Sequence, residues 1–375
     1  MYFPEIYVII TVHLYIETVK DRTSALSKRK HSFTGDIILD SSKTVEIRQE
    51  VSDIEKLYDA SDKLVAEIEK VVIGKRDVIV MLMTALLASG HVLIEDVPGV
   101  GKTTLAAALA KAAGLSYKRA QFTPDVMASD ITGFNIYNQK EGAFEFREGL
   151  VMCNILLADE INRASPKTQS SLLEAMEEKR VTVDGKTYDI PDPFIVIATE
   201  NPTGFVGTYP LPEAQLDRFA VKLRMGYPSM EEELRIIGDR RESSPLDAVK
   251  PAADRSMILD MRSACEQVYI APALYKYIVL LVSATRRHPK LSLGASPRAS
   301  IVLMKTAQAY AFMHRRDYVI PEDIASIYRT TVSHRLILSQ EAKIARVDTN
   351  AVLTEILHET AVPFESGEKQ EYTKE

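Results

Sequence analysis

At 375 residues the chain is long enough for two domains, and 46% hydrophobic with 26% charged residues is an ordinary balance for a globular protein with a sizeable core. A formal net charge of −6 gives no general attraction to nucleic acid, so a bound phosphate is expected to come from a small ligand. Cys153 and Cys265, the two cysteines, stand far apart with no His or Cys at ligand spacing, which argues against a disulfide framework and a zinc site.

Residues 1–44 read as an extension. Tyr7–Ile16 is apolar but shorter than the roughly 20 residues that cross a bilayer, and Glu5, His13 and Glu17 interrupt the region. It has neither a positive start nor a small-residue cleavage site, so no signal peptide and no transmembrane segment are expected, and the location expected is cytoplasmic. Residues Lys20 to Lys43 are polar and basic and read as a linker. A strand pair, a membrane-surface segment or an extension upstream of the true start all remain open for these residues.

From Val45 the spacing of Val51, Ile54, Leu57, Leu64, Val65 and Ile68 predicts a helix with one apolar face. Val71-Val72-Ile73-Gly74 breaks it, and a second helix runs from Arg76 to Ser89, stopped by Gly90. The turn at Val72, Ile73 and Gly74 is either a seat for an adenine ring or a plain connection between helices.

His91–Ile94 is short and apolar like a buried strand, whereas Lys102–Ala113 is rich in strong helix formers. Between them lies Glu95-Asp96-Val97-Pro98-Gly99-Val100-Gly101-Lys102-Thr103-Thr104. Strand, glycine loop and helix are the context of a phosphate-binding loop. Gly99 and Gly101 let backbone N–H groups turn inward, and the helix start adds its positive end. Lys102 is placed to reach β- and γ-phosphates, and Thr103 to ligate Mg²⁺. One position departs from the G-x-x-x-x-G-K-[ST] spacing: Asp96 replaces the first glycine, and its carboxylate must point away from phosphate.

Downstream, Tyr117–Phe122 reads as a strand, with Ser129 or Asp130 capping a short element after it, and Phe134–Gly149 reads as a hairpin. Asn154-Ile155-Leu156-Leu157-Ala158 leads a buried strand to Asp159-Glu160 at its C-terminal end, where ligands of open α/β sheets gather. Asp159 suits an outer or direct contact to Mg²⁺, and Glu160 suits the base that deprotonates an attacking water. Ser165-Pro166 opens a helix, Val181–Tyr188 is a hairpin about an Asp-Gly turn, and Phe194–Thr199 is a strand. Asn201 at its end can position water against a γ-phosphate or simply initiate the Asn-Pro turn. Ala220–Arg224 supplies a fifth strand, so strands alternate with helices as in a mostly parallel sheet covered on both faces.

From Tyr227 strands are no longer expected. Glu231–Arg240, Ser256–Tyr269, Pro272–Arg286, Pro297–Met313 and Pro321–Leu338 read as helices of an all-α domain. Ser296 is the expected N-cap before Pro297, which projects Arg298 from a helix start, beside where phosphate is expected. The charged tail from Pro363 is expected to fray.

These residues resemble the AAA+ ATPases, and specifically the MoxR family. The resemblance rests on Glu95–Thr103, Gln121–Asp125 with Ser129–Gly133, Asp159–Ala164, Leu172–Glu178, Ala198–Pro202, Leu211–Phe219 and Gly294–Arg298, in the family's order. It covers about Val45 to Thr349. It implies a P-loop NTPase core with a parallel five-stranded sheet flanked by helices (45–226) and a helical lid domain (227–349); residues 350–375 read as a C-terminal helix and charged tail. It also implies ATP and Mg²⁺ as ligands, adenine contacts at Val72–Gly74, Asn201 as sensor 1, Arg298 as sensor 2, and Arg218 as the finger reaching a neighbouring subunit. The two hairpins match family insertions that face the pore or a partner. A ring, by resemblance a hexamer, would drive chaperone-like maturation of a protein complex, with a von Willebrand factor A domain partner. A magnesium-chelatase-like motor subunit and a nucleotide-dependent scaffold with little turnover are the alternatives. The family's usual Glu-Gly appears here as Glu95-Asp96, and its usual Gln before Asn-Pro as Glu200.

Overall fold

The computed structural model describes residues 41–201, 208–239 and 245–363, and places side chains from residue 52. The apolar run Tyr7–Ile16, most of the basic linker and the charged tail lie outside the described residues, as does Pro202. From Asp53 the chain forms one unit.

Its centre is a sheet of five parallel strands: β1 (Val92–Glu95), β2 (Tyr117–Gln121), β5 (Ile155–Asp159), β8 (Ile195–Glu200) and β9 (Val221–Leu223), in spatial order β2-β5-β8-β1-β9. Period-2 alternation divides the strand residues between two layers. Val92, Ile94, Leu157 and Ile197 face one buried cluster, and Leu93, Leu156, Ala158, Val196 and Ala198 face the other. Both faces being covered explains why the inner strands β1, β5 and β8 read as apolar runs, whereas the edge strand β2 carries Lys118, Arg119 and Gln121.

The first cluster takes in α1 (Ser41–Glu69), α2 (Arg76–Leu87) and α3 (Lys102–Ala112) through Leu64, Leu82, Leu86, Leu105 and Leu109. The second is closed by α5 (Pro166–Glu178), which follows the five-residue α4 (Ala128–Thr132) and buries Leu172, Leu173 and Met176. Ser165 caps α5 as expected, its hydroxyl accepting from the Thr168 N–H at 3.3 Å. In α4 Asp130, one of the two expected capping residues, caps from the third helical position, its carboxylate accepting from the Met127 N–H at 2.8 Å.

Two hairpins project from this layer, β3 (Gly133–Asn138) with β4 (Ala143–Glu148) and β6 (Arg180–Val183) with β7 (Lys186–Asp189). The second turns at Asp184 (φ 49°) and Gly185 (φ 80°), the pair of positive φ angles that an Asp-Gly hairpin turn needs. Phe146 stacks on Tyr188 with ring centroids 3.8 Å apart, joining the two hairpins. Phe134, Ile136, Tyr137 and Phe144 are left exposed.

After α6 (Glu213–Leu216) and β9 the chain is mainly helical: α7 (Met230–Asp239), α8 (Arg255–Gln267), α9 (Pro272–Thr285), α10 (Pro297–Met313), α11 (Pro321–Val332), α12 (Gln340–Ile344) and α13 (Thr349–Glu359). Leu303, Phe312, Ile327 and Tyr328 bury into the same cluster as α1 and α2. Strands do recur here, contrary to expectation. Leu291–Leu293 (β10) pairs antiparallel with Ile337–Leu338 (β11), so the helix predicted through Leu338 ends at Val332. Three-residue strands are too short for a period-2 signal to emerge from sequence.

Candidate functional site

Two successive carboxylates, Glu95 at the end of β1 and Asp96 at the start of the loop, hold β9 and the chain that leaves it. Glu95 accepts from Arg224 at 2.5 Å and pairs with Lys222 at 3.1 Å. Burial would raise its carboxyl, but these two cations outweigh burial and hold it below the ordinary range. Asp96 turns away from the loop interior, as the sequence requires. Its Oδ1 accepts from the Val97 N–H at 2.8 Å, and its Oδ2 accepts from the Met225 and Gly226 N–H groups, both at 2.7 Å.

Gly99 and Gly101 adopt φ of 88° and 97°, which only glycine adopts without strain, and a side chain at Gly99 would meet open space. Gly101 is the N-cap of α3, so Lys102, Thr103 and Thr104 occupy its first turn. The Lys102 ammonium donates to the Asp96 carbonyl at 2.7 Å. Burial pulls its pKa down, opposed by the carboxylates of Asp159, Asp96 and Glu160. An open glycine turn, a half-buried ammonium and a helix N-terminus fit a polyphosphate. The Thr103 hydroxyl and Asp159 carboxylate are hard oxygen donors of the kind Mg²⁺ takes.

Asp159 and Glu160 stand at the exit of β5. Thr199 on β8 donates its hydroxyl to Asp159 Oδ1 at 2.7 Å and accepts from the Glu160 N–H at 2.9 Å, fixing the Asp159 carboxylate and the Glu160 backbone to the neighbouring strand. Arg119 on β2 donates to Asp159 Oδ2 at 2.9 Å, and Arg163 donates to Glu160 Oε2 at 2.9 Å. Glu160 itself has φ 55°, a left-handed conformation rare for a residue with a side chain. Asn201 follows β8 at the same sheet edge, where the Asp96 N–H donates to the Glu200 carbonyl at 3.2 Å. Loop, Asp159, Glu160 and Asn201 therefore share one end of the sheet.

Val72 and Ile73 are buried, and α7 covers the turn: a side chain at Gly74 would overlap the Glu232 carboxylate. The two arginines lie elsewhere. α5 starts near the loop edge of the sheet, where Gln169 donates to the Ile161 and Tyr209 carbonyls at 3.2 and 2.9 Å. It ends at the opposite edge, where the Met176 carbonyl lies 3.1 Å from Nε2 of His91, the residue before β1. Glu177 at that far end pairs with Arg298 at 2.9 Å and with Arg218 at 3.2 Å. The structure thus brings Arg298 and Arg218 together at the far edge of the sheet and not at the phosphate loop of the same chain. The length of β1, four residues or roughly 13 Å, separates the two edges. The Ser296 hydroxyl, expected to cap α10, instead donates to Asp217 Oδ2 at 3.0 Å, and Arg335 donates to Asp217 Oδ1 at 2.9 Å. Asp217 thereby holds the start of α10 against the stretch that carries Arg218.

Glu200 carries a pH consequence. Burial, reinforced by the Glu95 carboxylate beside it and offset by Lys222, pushes its carboxyl up to about 7. A carboxyl raised in the folded state keeps its proton where the unfolded chain has lost it. Its favourable contribution is therefore present at low pH and lost as pH rises through about 7. Glu200→Gln is expected to match the unsubstituted chain near pH 4 and to exceed its stability by about 1–2 kcal/mol at pH 8, read from urea midpoints. Equal midpoints at both pH values would show that Glu200 ionises freely in the fold.

Sequence reasoning missed Arg119, Arg163, Thr199, Glu177 and Asp217. Arg163 meets Glu160 within one turn, three residues away, whereas Arg119, Thr199, Glu177 and Asp217 acquire their partners from other elements.

Comparison with known proteins bears on these residues. Residues 91–221 match the family model of the ATPase family associated with various cellular activities (AAA), and residues 283–356 match the AAA lid domain. YeaC of Bacillus subtilis is 51% identical over 83% of this chain and 97% of its own. Chaperone MoxR1 of Mycobacterium tuberculosis is 38% identical over 80% of this chain and 82% of its own. Protein MoxR of Methylorubrum extorquens is 30% identical over 80% of this chain and 94% of its own. A crystal structure of a protein provisionally assigned as an ATPase, from Cytophaga hutchinsonii, superposes with a TM-score of 0.81 at 38% identity, covering 85% of this chain and 99% of that one.

Proposed function

The chain belongs to the MoxR family of AAA ATPases, and from that premise we propose that it binds and hydrolyses ATP in a ring of subunits to drive chaperone-like maturation of a partner complex. The observation that carries hydrolysis is the placement of the glycine loop, Asp159 and Glu160 at one edge of the sheet, joined through Thr199 and the Asp96–Glu200 backbone bond.

In this reading the loop N–H groups and Lys102 hold the triphosphate, with the adenine at Val72–Gly74 beneath α7. Thr103 and Asp159 would hold Mg²⁺, which supplies neutralisation of charge on the phosphate oxygens. Arg119 is half-exposed and free to leave Asp159 when that carboxylate turns to a ligand. Glu160 leaves Arg163 to accept a proton from the attacking water, and Asn201 orients that water. Arg218 and Arg298, tied to one glutamate at the far edge, serve the nucleotide of the adjoining subunit together. This makes a closed ring, by family resemblance a hexamer, a condition of turnover.

The exposed aromatic face of the β3–β4 hairpin supports contact with a protein client or partner, for which a von Willebrand factor A domain protein is the family expectation. Among the described residues no helix is long and apolar enough to cross a membrane.

The test is nucleotide binding. A fluorescent ATP analogue with Mg²⁺ is expected to bind the unsubstituted chain and to bind Lys102→Ala at least about tenfold more weakly. Equal affinities would remove the loop from the mechanism.

A further inference from the structure

Asp96 is the one residue of the loop region that departs from the phosphate-loop spacing and yet makes a full set of contacts. Its carboxylate receives three backbone N–H groups, one from the loop (Val97) and two from the chain that leaves β9 (Met225 and Gly226). Its carbonyl oxygen is the partner of the Lys102 ammonium, and its own N–H donates to the Glu200 carbonyl beside Asn201. Gly226 has φ 63°, so Met225 and Gly226 present successive N–H groups to one oxygen as a small anion nest. One residue later the Tyr227 carbonyl accepts from Lys75 at 3.0 Å, and α7 begins at Met230. α7 then returns through Glu232 to Gly74. A continuous path runs from the loop lysine through Asp96 to the helix that covers the adenine turn.

We propose that Asp96 is a positioning residue that couples the phosphate loop to α7 and the helices beyond. Its carbonyl is the resting partner of Lys102, and its carboxylate grips the Met225-Gly226 link. When phosphate takes the Lys102 ammonium, the Asp96 carbonyl loses its donor while the carboxylate keeps its hold. The shift of the loop backbone is therefore delivered to the link. A glycine at this position leaves loop and link without that tie. This inference rests on the nucleotide-site reading.

Hydrogen–deuterium exchange separates the two. In the unsubstituted protein, Mg-ADP is expected to slow exchange in peptides covering residues 97–104 and, through Asp96, residues 223–233 by about tenfold. Asp96→Gly is expected to keep protection of the loop peptide while losing that of residues 223–233. Its kcat for ATP is expected to fall about tenfold with KM within about threefold. Asp96→Asn keeps an oxygen for Met225 and Gly226 but sets an amide against the Val97 N–H, and is expected to lie between. A residue that merely stabilised the fold would lower the melting temperature and leave the linker response intact, and that result in Asp96→Gly overturns the coupling. Absence of loop protection in the unsubstituted protein overturns the nucleotide site itself, and the coupling with it.

Discussion

Glu160→Gln is expected to bind ATP as the unsubstituted chain does and to release phosphate at least about a hundredfold more slowly, the usual range for removing a general base. The amide is nearly isosteric and can still accept from Arg163, whose guanidinium donates to Glu160 Oε2 at 2.9 Å. The backbone tie from the Glu160 N–H to Thr199 at 2.9 Å is untouched. What the amide loses is the capacity to take a proton from water. Fold, left-handed backbone and nucleotide affinity should therefore persist while the chemical step fails. Phosphate release and fluorescent-nucleotide titration on the same preparation decide the matter. Undiminished release removes Glu160 from the base role, and a joint loss of binding and release makes it a structural residue. Because the variant holds nucleotide without turning it over, it is also the form in which a protein client is best captured.

The sheet and the loop edge of this site were legible because their signals are local. Four consecutive apolar residues before Asp159, a glycine turn between a strand and an alanine-rich helix, and Ser165-Pro166 each encode their structure within a few positions. The arginines were not legible in the same way. Arg298 was expected beside phosphate because it follows Ser296-Pro297 at a helix start, a correct reading of α10 that says nothing of where α10 docks. Docking is set by Asp217, which accepts from Ser296 at 3.0 Å and Arg335 at 2.9 Å, across 79 and 118 positions of chain. Asp96 shows the same limit from the other side. The sequence requires its carboxylate to point away from phosphate, but its targets are backbone N–H groups 129 and 130 residues on, which no side-chain pattern reveals.

Replacing Arg218 with alanine is expected to abolish most turnover, by about a hundredfold to a thousandfold, while leaving ATP binding intact, because an arginine finger stabilises charge that develops only in the transition state. Arg298→Ala should act in the same direction. The two guanidiniums meet at Glu177, at 3.2 and 2.9 Å, so they are expected to work as a unit, and the double variant should cost little more than the worse single one. Their site of action is open to a test that activity alone does not provide. In a ring, a subunit lacking Arg218 keeps its own Glu160, and a Glu160→Gln subunit keeps both arginines. Random mixing of the two inactive proteins in equal amounts gives each site about one chance in four of pairing an intact Glu160 with an intact arginine donor. Turnover should then return to about a quarter of the unsubstituted rate. The same mixing with Arg298→Ala discriminates between the two edges of the sheet. If Arg298 serves its own subunit, no site in the mixture has both groups and nothing is restored. If it serves the neighbour, as its tie to Glu177 at the edge away from the loop implies, it is rescued as Arg218 is. Rescue of Arg218→Ala without rescue of Arg298→Ala would require the helices beyond β9 to swing Arg298 off Glu177 and across the sheet to its own loop.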